Sequence, residues 1–248
     1  MELAKAAVAV VLTFVAGYVD ALGWLTLDRV FTAQMSGNVL QFAIHLVRGG
    51  GNPWLQGDAI AAFFAGLVIS GAVIEIGMRR RMRRIFIAAL AVEFVLLIVF
   101  AVAGNALAPG DAPNARVYAL IAVVAFAMGT QNTSLRMAGI LSVFTTHVTG
   151  ALSSLSEELV VCAFSLLRPD SAFAAESLRA THPKAFRNAL RSAALLAGFF
   201  AGAVVGAVLF RPGALVAAMT IPLVLLAAVG AFDWVVPLTR FPSPAEQE

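Results

Sequence analysis

The chain has 248 residues, of which 60% are hydrophobic and 12% are charged. A soluble domain is typically about 45–50% apolar and about 25% charged, and a chain of this size has too little interior to hide the excess. That excludes a water-soluble enzyme and implies a lipid bilayer as the main partner, so the net charge of +3 is read as a topology signal and not as a nucleic-acid surface.

One cysteine, Cys162, and three scattered histidines, His45, His147 and His182, provide no disulfide framework, no metal-ligand spacing and no cofactor motif. A transmembrane helix needs about 20 mostly apolar residues. The first such segment, 6–27, is read as an uncleaved helix, because no small-x-small cleavage site precedes a mature domain and the rest of the chain is equally apolar. The piece at 36–47 would be about 18 Å long as a helix. That is too short for a hydrocarbon core of about 30 Å, so a half-helix or re-entrant arm is expected. Segments 60–77, 85–104 and 117–128 follow, the last running on past Gly129. Segment 145–167 carries charges, and 189–210 and 214–234 complete the set. The longest polar stretch is 168–191, read as a loop to about residue 188, and 242–248 is read as a disordered tail. No linker or soluble domain interrupts the chain, so one transmembrane domain over 1–248 is expected.

The chain repeats itself. Gly17-Tyr18-Val19-Asp20 matches Gly129-Thr130-Gln131-Asn132 as Gly-x-x-(Asp/Asn). At nearly the same spacing, Phe31-Thr32-Ala33-Gln34-Met35-Ser36-Gly37 matches Phe144-Thr145-Thr146-His147-Val148-Thr149-Gly150. Further on, Phe63-Phe64-Ala65-Gly66 recurs as Phe199-Phe200-Ala201-Gly202, followed by Ser70 and Gly206, so each copy has a small-x-x-x-small pair suited to close helix packing. Repeat one covers about 5–104 and repeat two about 116–235.

Charge orients the halves. Arg79, Arg80, Arg81, Arg83 and Arg84 follow the third element of half one, whereas Arg168, Arg179, Lys184 and Arg187, with Arg191 just beyond, precede the third element of half two. Positive loops face the cytoplasm, so equivalent loops fall on opposite sides. The expected fold is an all-α polytopic membrane protein of two inverted repeats. Each is a broken helix/half-helix unit plus two transmembrane helices, making about six crossings with both termini cytoplasmic. Such architectures place a site near the midplane where the breaks meet.

Asp20 heads the candidate residues. It lies about 21 Å along its helix, and an intramembrane carboxylate is a functional candidate by default, although capping a half-helix or pairing with a buried arginine would explain it equally well. Its counterpart Asn132 keeps the shape and loses the charge. Ser36, Gly37 and Asn38, with Thr149 and Gly150, read as helix starts that either cap or contact a ligand. Gln34 and His147 hold matching places two residues before Ser36 and Thr149, and Gln131 stands beside Asn132. Glu93, Glu157 and Glu158 carry lower weight. Neighbours on a helix point about 100° apart, so Glu157 and Glu158 face different surroundings. Arg136 is the one cation near the second break. Glu75 reads as an i,i+4 partner of Arg79, and Trp54, Tyr118 and Trp234 as interfacial anchors.

The strings Gly17-Tyr18-Val19-Asp20-Ala21-Leu22-Gly23 and Met35-Ser36-Gly37-Asn38 resemble the first signature of the YoaK-like family of bacterial integral membrane proteins, a domain of unknown function. Ala127-Met128-Gly129-Thr130-Gln131-Asn132 and Val143-Phe144-Thr145-Thr146-His147-Val148-Thr149-Gly150 resemble its second. The resemblance covers nearly the whole chain. It implies the bacterial inner membrane and marks the motif positions as the functional core, and it carries over no substrate. The function expected from the residues is a small-solute secondary transporter, with a proton as the candidate coupling ion bound or relayed by Asp20. An ion or solute channel, or a non-transporting sensor or partner subunit, are the alternatives. An unidentified small solute or ion is the expected ligand, and a homo-oligomer is compatible with the chain. No motif of an intramembrane enzyme is present.

Overall fold

A computed structural model describes residues 2–80, 82, 84–107, 113–137, 148–167 and 172–238. The described residues form eight helices and no strand: α1 (Glu2–Thr26), α2 (Met35–Arg48), α3 (Pro53–Arg79), α4 (Ile85–Gly104), α5 (Ala115–Met137), α6 (Val148–Leu167), α7 (Ala172–Leu209) and α8 (Leu215–Val235). Six helices are long and apolar enough to cross a membrane: α1, α3, α4, α5, the Phe186–Leu209 part of α7, and α8. At 14 residues, α2 is the short piece the sequence leads one to expect. Tail residues 242–248 lie outside the described residues.

Helices run beyond their apolar windows wherever polar residues can still propagate them. α3 starts at Pro53 because Asn52 caps it, its Oδ1 accepting from the Trp54 amide at 3.1 Å, with proline at the first helical position. The stretch 168–188, expected as a loop, is helical from Ala172 onward. Its polarity bars it from the hydrocarbon core, but Ala, Leu, Glu and Arg are good helix formers.

Glycines set the two closest helix crossings. At the first, α1 lies against α7, with Gly202 packed on the Phe14 carbonyl and Gly17 on the Phe199 carbonyl. At the second, α3 lies against α5, with Gly66 packed on the Phe126 carbonyl and Gly129 on the Phe63 carbonyl. The four approaches are so close that a Cβ at any of them would meet backbone, which side-chain motion cannot relieve. The apolar partners within the same motifs, Phe64 and Phe200, point outward and are exposed, as lipid-facing residues must be.

The order of contacts gives helix directions. Gly198, Gly202 and Gly206 meet Val10, Phe14 and Tyr18 in turn, so α1 and α7 run parallel. Gly66 against Phe126, and then Leu67 against Thr133, whose Oγ1 donates to the Leu67 carbonyl at 3.2 Å, make α3 and α5 parallel. At one end of the bundle the Asn52 Nδ2 donates to the Tyr118 hydroxyl at 2.7 Å and the Arg116 guanidinium to the Ala103 carbonyl at 2.7 Å. Thr26, Gly104 and the Phe210–Leu215 turn share a depression at that end. α1 therefore finishes where α3, α5 and α8 begin. The opposite end carries Arg84, whose guanidinium lies 3.2 Å from the centre of the Trp234 ring. The expected Glu75–Arg79 pair forms at 2.7 Å.

Pro222 lies inside α8, and proline has no N–H to give the carbonyl four residues earlier. That carbonyl belongs to Ala218, and the buried Tyr18 hydroxyl donates to it at 2.6 Å. Lipid offers no such donor, so a neighbouring helix must.

Gly202→Ala is expected to lower stability by about 1–3 kcal/mol through overpacking. Gly230→Ala, with nothing within 4 Å of the added carbon, should instead gain about 0.5–1 kcal/mol from helix propensity. Thermal unfolding of both variants in one detergent checks the contrast.

Candidate functional site

After α1 the chain reverses instead of entering solvent. Asp28 and Arg29 both adopt left-handed backbone, at φ 50° and 61°, an unfavourable conformation for residues with a side chain. Arg29 lies over the Trp24 ring at 5.6 Å. The turn sends 30–34 back alongside α1, where Gly23 leaves room for Thr32 to lie against the helix. α2 then leads out again, packing on α3. The result is an arm folded back along the end of α1.

Asp20 receives this arm. It is 4% exposed, and its Oδ1 accepts from the Thr32 amide at 2.6 Å, the Ala33 amide at 2.7 Å and the Thr32 hydroxyl at 3.2 Å. These donors precede α2 and would otherwise be unpaired inside the protein. Asn38 completes the arm from the other side. Its Oδ1 accepts from the Phe31 amide at 3.0 Å and its Nδ2 donates to the Phe31 carbonyl at 2.6 Å. Gly37 makes room for the Phe31 ring. Ser36 is not the helix cap the sequence suggests. The cap position is Gln34, whose side chain makes no capping bond, because Asp20 and Asn38 already hold the loop; Ser36 is an exposed residue of the first turn.

Asp20 and Gln34 come together on an open cleft of about 410 Å³ between α1, the loop before α2 and α7, whose lining includes Gly17, Trp24 and Phe199. Ligand sites typically have volumes of about 300–1,000 Å³.

In the second half, Gln131 and Asn132 are buried on α5. Gln131 Nε2 donates to Glu93 Oε1 of α4 at 2.8 Å, and Glu93 is fully buried. Glu93 Oε2, Gln131 Oε1, Asn132 Oδ1, Thr130 Oγ1 and Ser70 Oγ have no hydrogen-bond partner. Thr149 is exposed and Gly150 half-buried in the first turn of α6. His147 and the Arg136 side chain lie outside the described residues. Glu157 is exposed, while Glu158 accepts from Asn188 of α7 at 3.1 Å, so the two glutamates do diverge. Among the described residues no group of three His, Cys, Asp or Glu could hold a metal ion.

Sequence reading offered capping as one role for Asp20 without naming its donors, and missed the Tyr18–Ala218 bond. A proline within an apolar span was the available signal for the second, since it frees a carbonyl that some donor must meet. Ser70 was read only as a small residue for packing, and Thr130 only as part of a motif.

Six long apolar helices define a multi-pass α-helical membrane protein. The chain belongs to the family described as protein of unknown function (DUF1275), whose family model matches residues 8–232. It is 30% identical over 151 residues to the UPF0700 transmembrane protein YoaK of Bacillus subtilis (strain 168), a match that covers 60% of this chain and 64% of that relative. No solved structure matches the chain.

Asp20→Asn keeps an oxygen acceptor and should cost no more than about 2 kcal/mol, whereas Asp20→Leu strands buried donors at about 1–3 kcal/mol each. Thermal unfolding ranks the two. Equal losses would show that Asp20 does not hold the arm.

Proposed function

We propose that the protein is a small-solute secondary transporter of the bacterial cytoplasmic membrane, built from two inverted repeats with both termini cytoplasmic. The observation that carries this reading is the exchange of packing partners between the halves. Phe14 and Gly17 meet Gly202 and Phe199, while their counterparts Phe126 and Gly129 meet Gly66 and Phe63. Each half lends its first helix to the third helix of the other, as a two-fold arrangement requires. α1 ends where α5 begins, which supports opposite orientations for the halves. The two arginine-rich segments then share one side, in keeping with the positive-inside rule.

Inverted repeats with a helix break in corresponding places are a common transporter architecture, because two halves related by such an axis can rock about a site between them. The cleft at Asp20 and Gln34 supplies the space. Among the described residues the buried polar side chains are Asp, Glu, Asn, Gln, Ser and Thr, with no Lys, Arg or His. That chemistry favours a neutral or cationic solute over an anionic one.

Topology is tested with single cysteines at Arg80 and Gly213 in a Cys162→Ser background. In intact cells an impermeant maleimide should label Gly213→Cys and spare Arg80→Cys until the membrane is permeabilised; labelling of both from one side overturns the inverted arrangement. Transport is tested in proteoliposomes with radiolabelled polyols, sugars, neutral amino acids and primary amines. Saturable uptake and counterflow are expected for one of these classes. Electrodiffusive current without counterflow would make the protein a channel, and no flux with any of them would support a sensor or partner subunit.

A further inference from the structure

Glu93 is the only titratable residue of α4 and sits at its middle. It is 0% exposed. α4 packs on α5, α8 and α3, and the described charged or titratable groups of those helices are engaged elsewhere or remote. On α5, Arg116 and Tyr118 are tied to Ala103 and Asn52 at the end where the helix begins. On α8, Asp233 lies in the last turn and accepts from the Leu238 amide at 2.7 Å. On α3, Asp58 lies in the second turn, and Glu75 is paired with Arg79 at 2.7 Å. A carboxylate at Glu93 would thus be a buried charge without a described counter-ion, an arrangement of very high cost.

The pattern of satisfied and unsatisfied atoms is specific. Gln131 Nε2 donates to Glu93 Oε1 at 2.8 Å. The second oxygen of the carboxyl, Oε2, and the oxygen of the amide, Oε1, are both buried and unpartnered. A second bare carboxylate oxygen in that surrounding adds to the cost of the ionised form. A hydrogen on it removes the buried charge and leaves the Gln131 bond to Oε1 in place.

We propose that Glu93 and Gln131 are a proton-binding site, with the proton carried on Glu93 Oε2 and the Gln131 amide bonded to Oε1. One O–H bond of hydronium breaks, one forms on Glu93 Oε2, and water is released; no other bond changes. The proposal deepens the transporter reading, and rests on it only for the use to which the proton is put: release of this proton as the halves rock would couple transport to a pH gradient. Asp20 differs in kind, since its carboxylate already accepts from amide and hydroxyl donors.

The test is pH-difference infrared spectroscopy of the full-length protein in lipid. The wild type is expected to show a protonated carboxylic C=O band that Glu93→Gln removes and Asp20→Asn leaves in place. Because an amide at position 93 is neutral like the protonated acid and still offers an oxygen to the Gln131 amide, Glu93→Gln is also expected to unfold no earlier than the wild type. Should that variant fail to accumulate, Gln131→Met gives the answer: loss of the donor to Oε1 must shift the C=O band to higher frequency. Identical carboxylic bands in wild type and Glu93→Gln over the whole pH range of the folded protein overturn the site, as does an unmoved band in Gln131→Met. A Glu93 band without solute flux keeps the site and removes the transporter reading, whereas flux without the band removes the site alone.

Discussion

The architecture depends on backbone touching backbone. Helices in lipid gain little from burying apolar side chains against one another, because lipid tails are equally apolar; what favours association is close van der Waals contact. Gly17, Gly66, Gly129 and Gly202 permit it by letting carbonyls of the facing helix enter the space that a side chain would fill. These glycines lie in two crossings and each crossing joins the two halves, so the same contacts that hold the bundle also decide which helix partners which. The exposed Phe64 and Phe200 beside them show the division of labour within one motif. The small residue faces protein and the large one faces lipid.

A bundle held this way can contain irregular backbone only where side chains supply the missing hydrogen bonds. Asp20, Asn38 and Tyr18 each do so. Asp20 serves the amides before α2, Asn38 serves both polar groups of Phe31, and Tyr18 serves the carbonyl stranded by Pro222. Two of the three, Asp20 and Tyr18, lie in the first Gly-x-x-Asp motif, next to the glycine that fixes α1 on α7. Packing and backbone satisfaction are therefore local to one another, and a change at either is felt in the shape of the cleft they enclose.

Much of this was legible in the amino-acid order. Apolar length located the six long helices, the shortness of 36–47 announced the arm, and recurrence of Gly-x-x-(Asp/Asn) and Phe-Phe-Ala-Gly marked the residues that meet. Helix ends were less legible, since hydropathy measures what lipid tolerates and not what a helix can include; residues 172–185 are polar and helical all the same. Partners were the least legible. Nothing near Asp20 in sequence says that Thr32 and Ala33 return to it, because that depends on a reversal at two left-handed residues. Glu93 and Gln131 belong to different helices, and only packing of α4 on α5 brings them together.

The two stretches of matching sequence differ in chemistry. Where half one has Asp20 accepting from Thr32 and Ala33, half two has Asn132 with an unpartnered oxygen. Where half one has Tyr18 closing an orphan carbonyl, half two has Thr130 with its own hydroxyl unpartnered. The buried carboxylate of α4, Glu93, which belongs to half one, has one donor and one oxygen without a partner. Around Asp20 the polar side chains complete the backbone, whereas Ser70, Glu93, Thr130, Gln131 and Asn132 on α3, α4 and α5 keep buried polar atoms without partners. That contrast sets the proposed proton site on the α3–α4–α5 side of the molecule, apart from the cleft that holds Asp20 and Gln34.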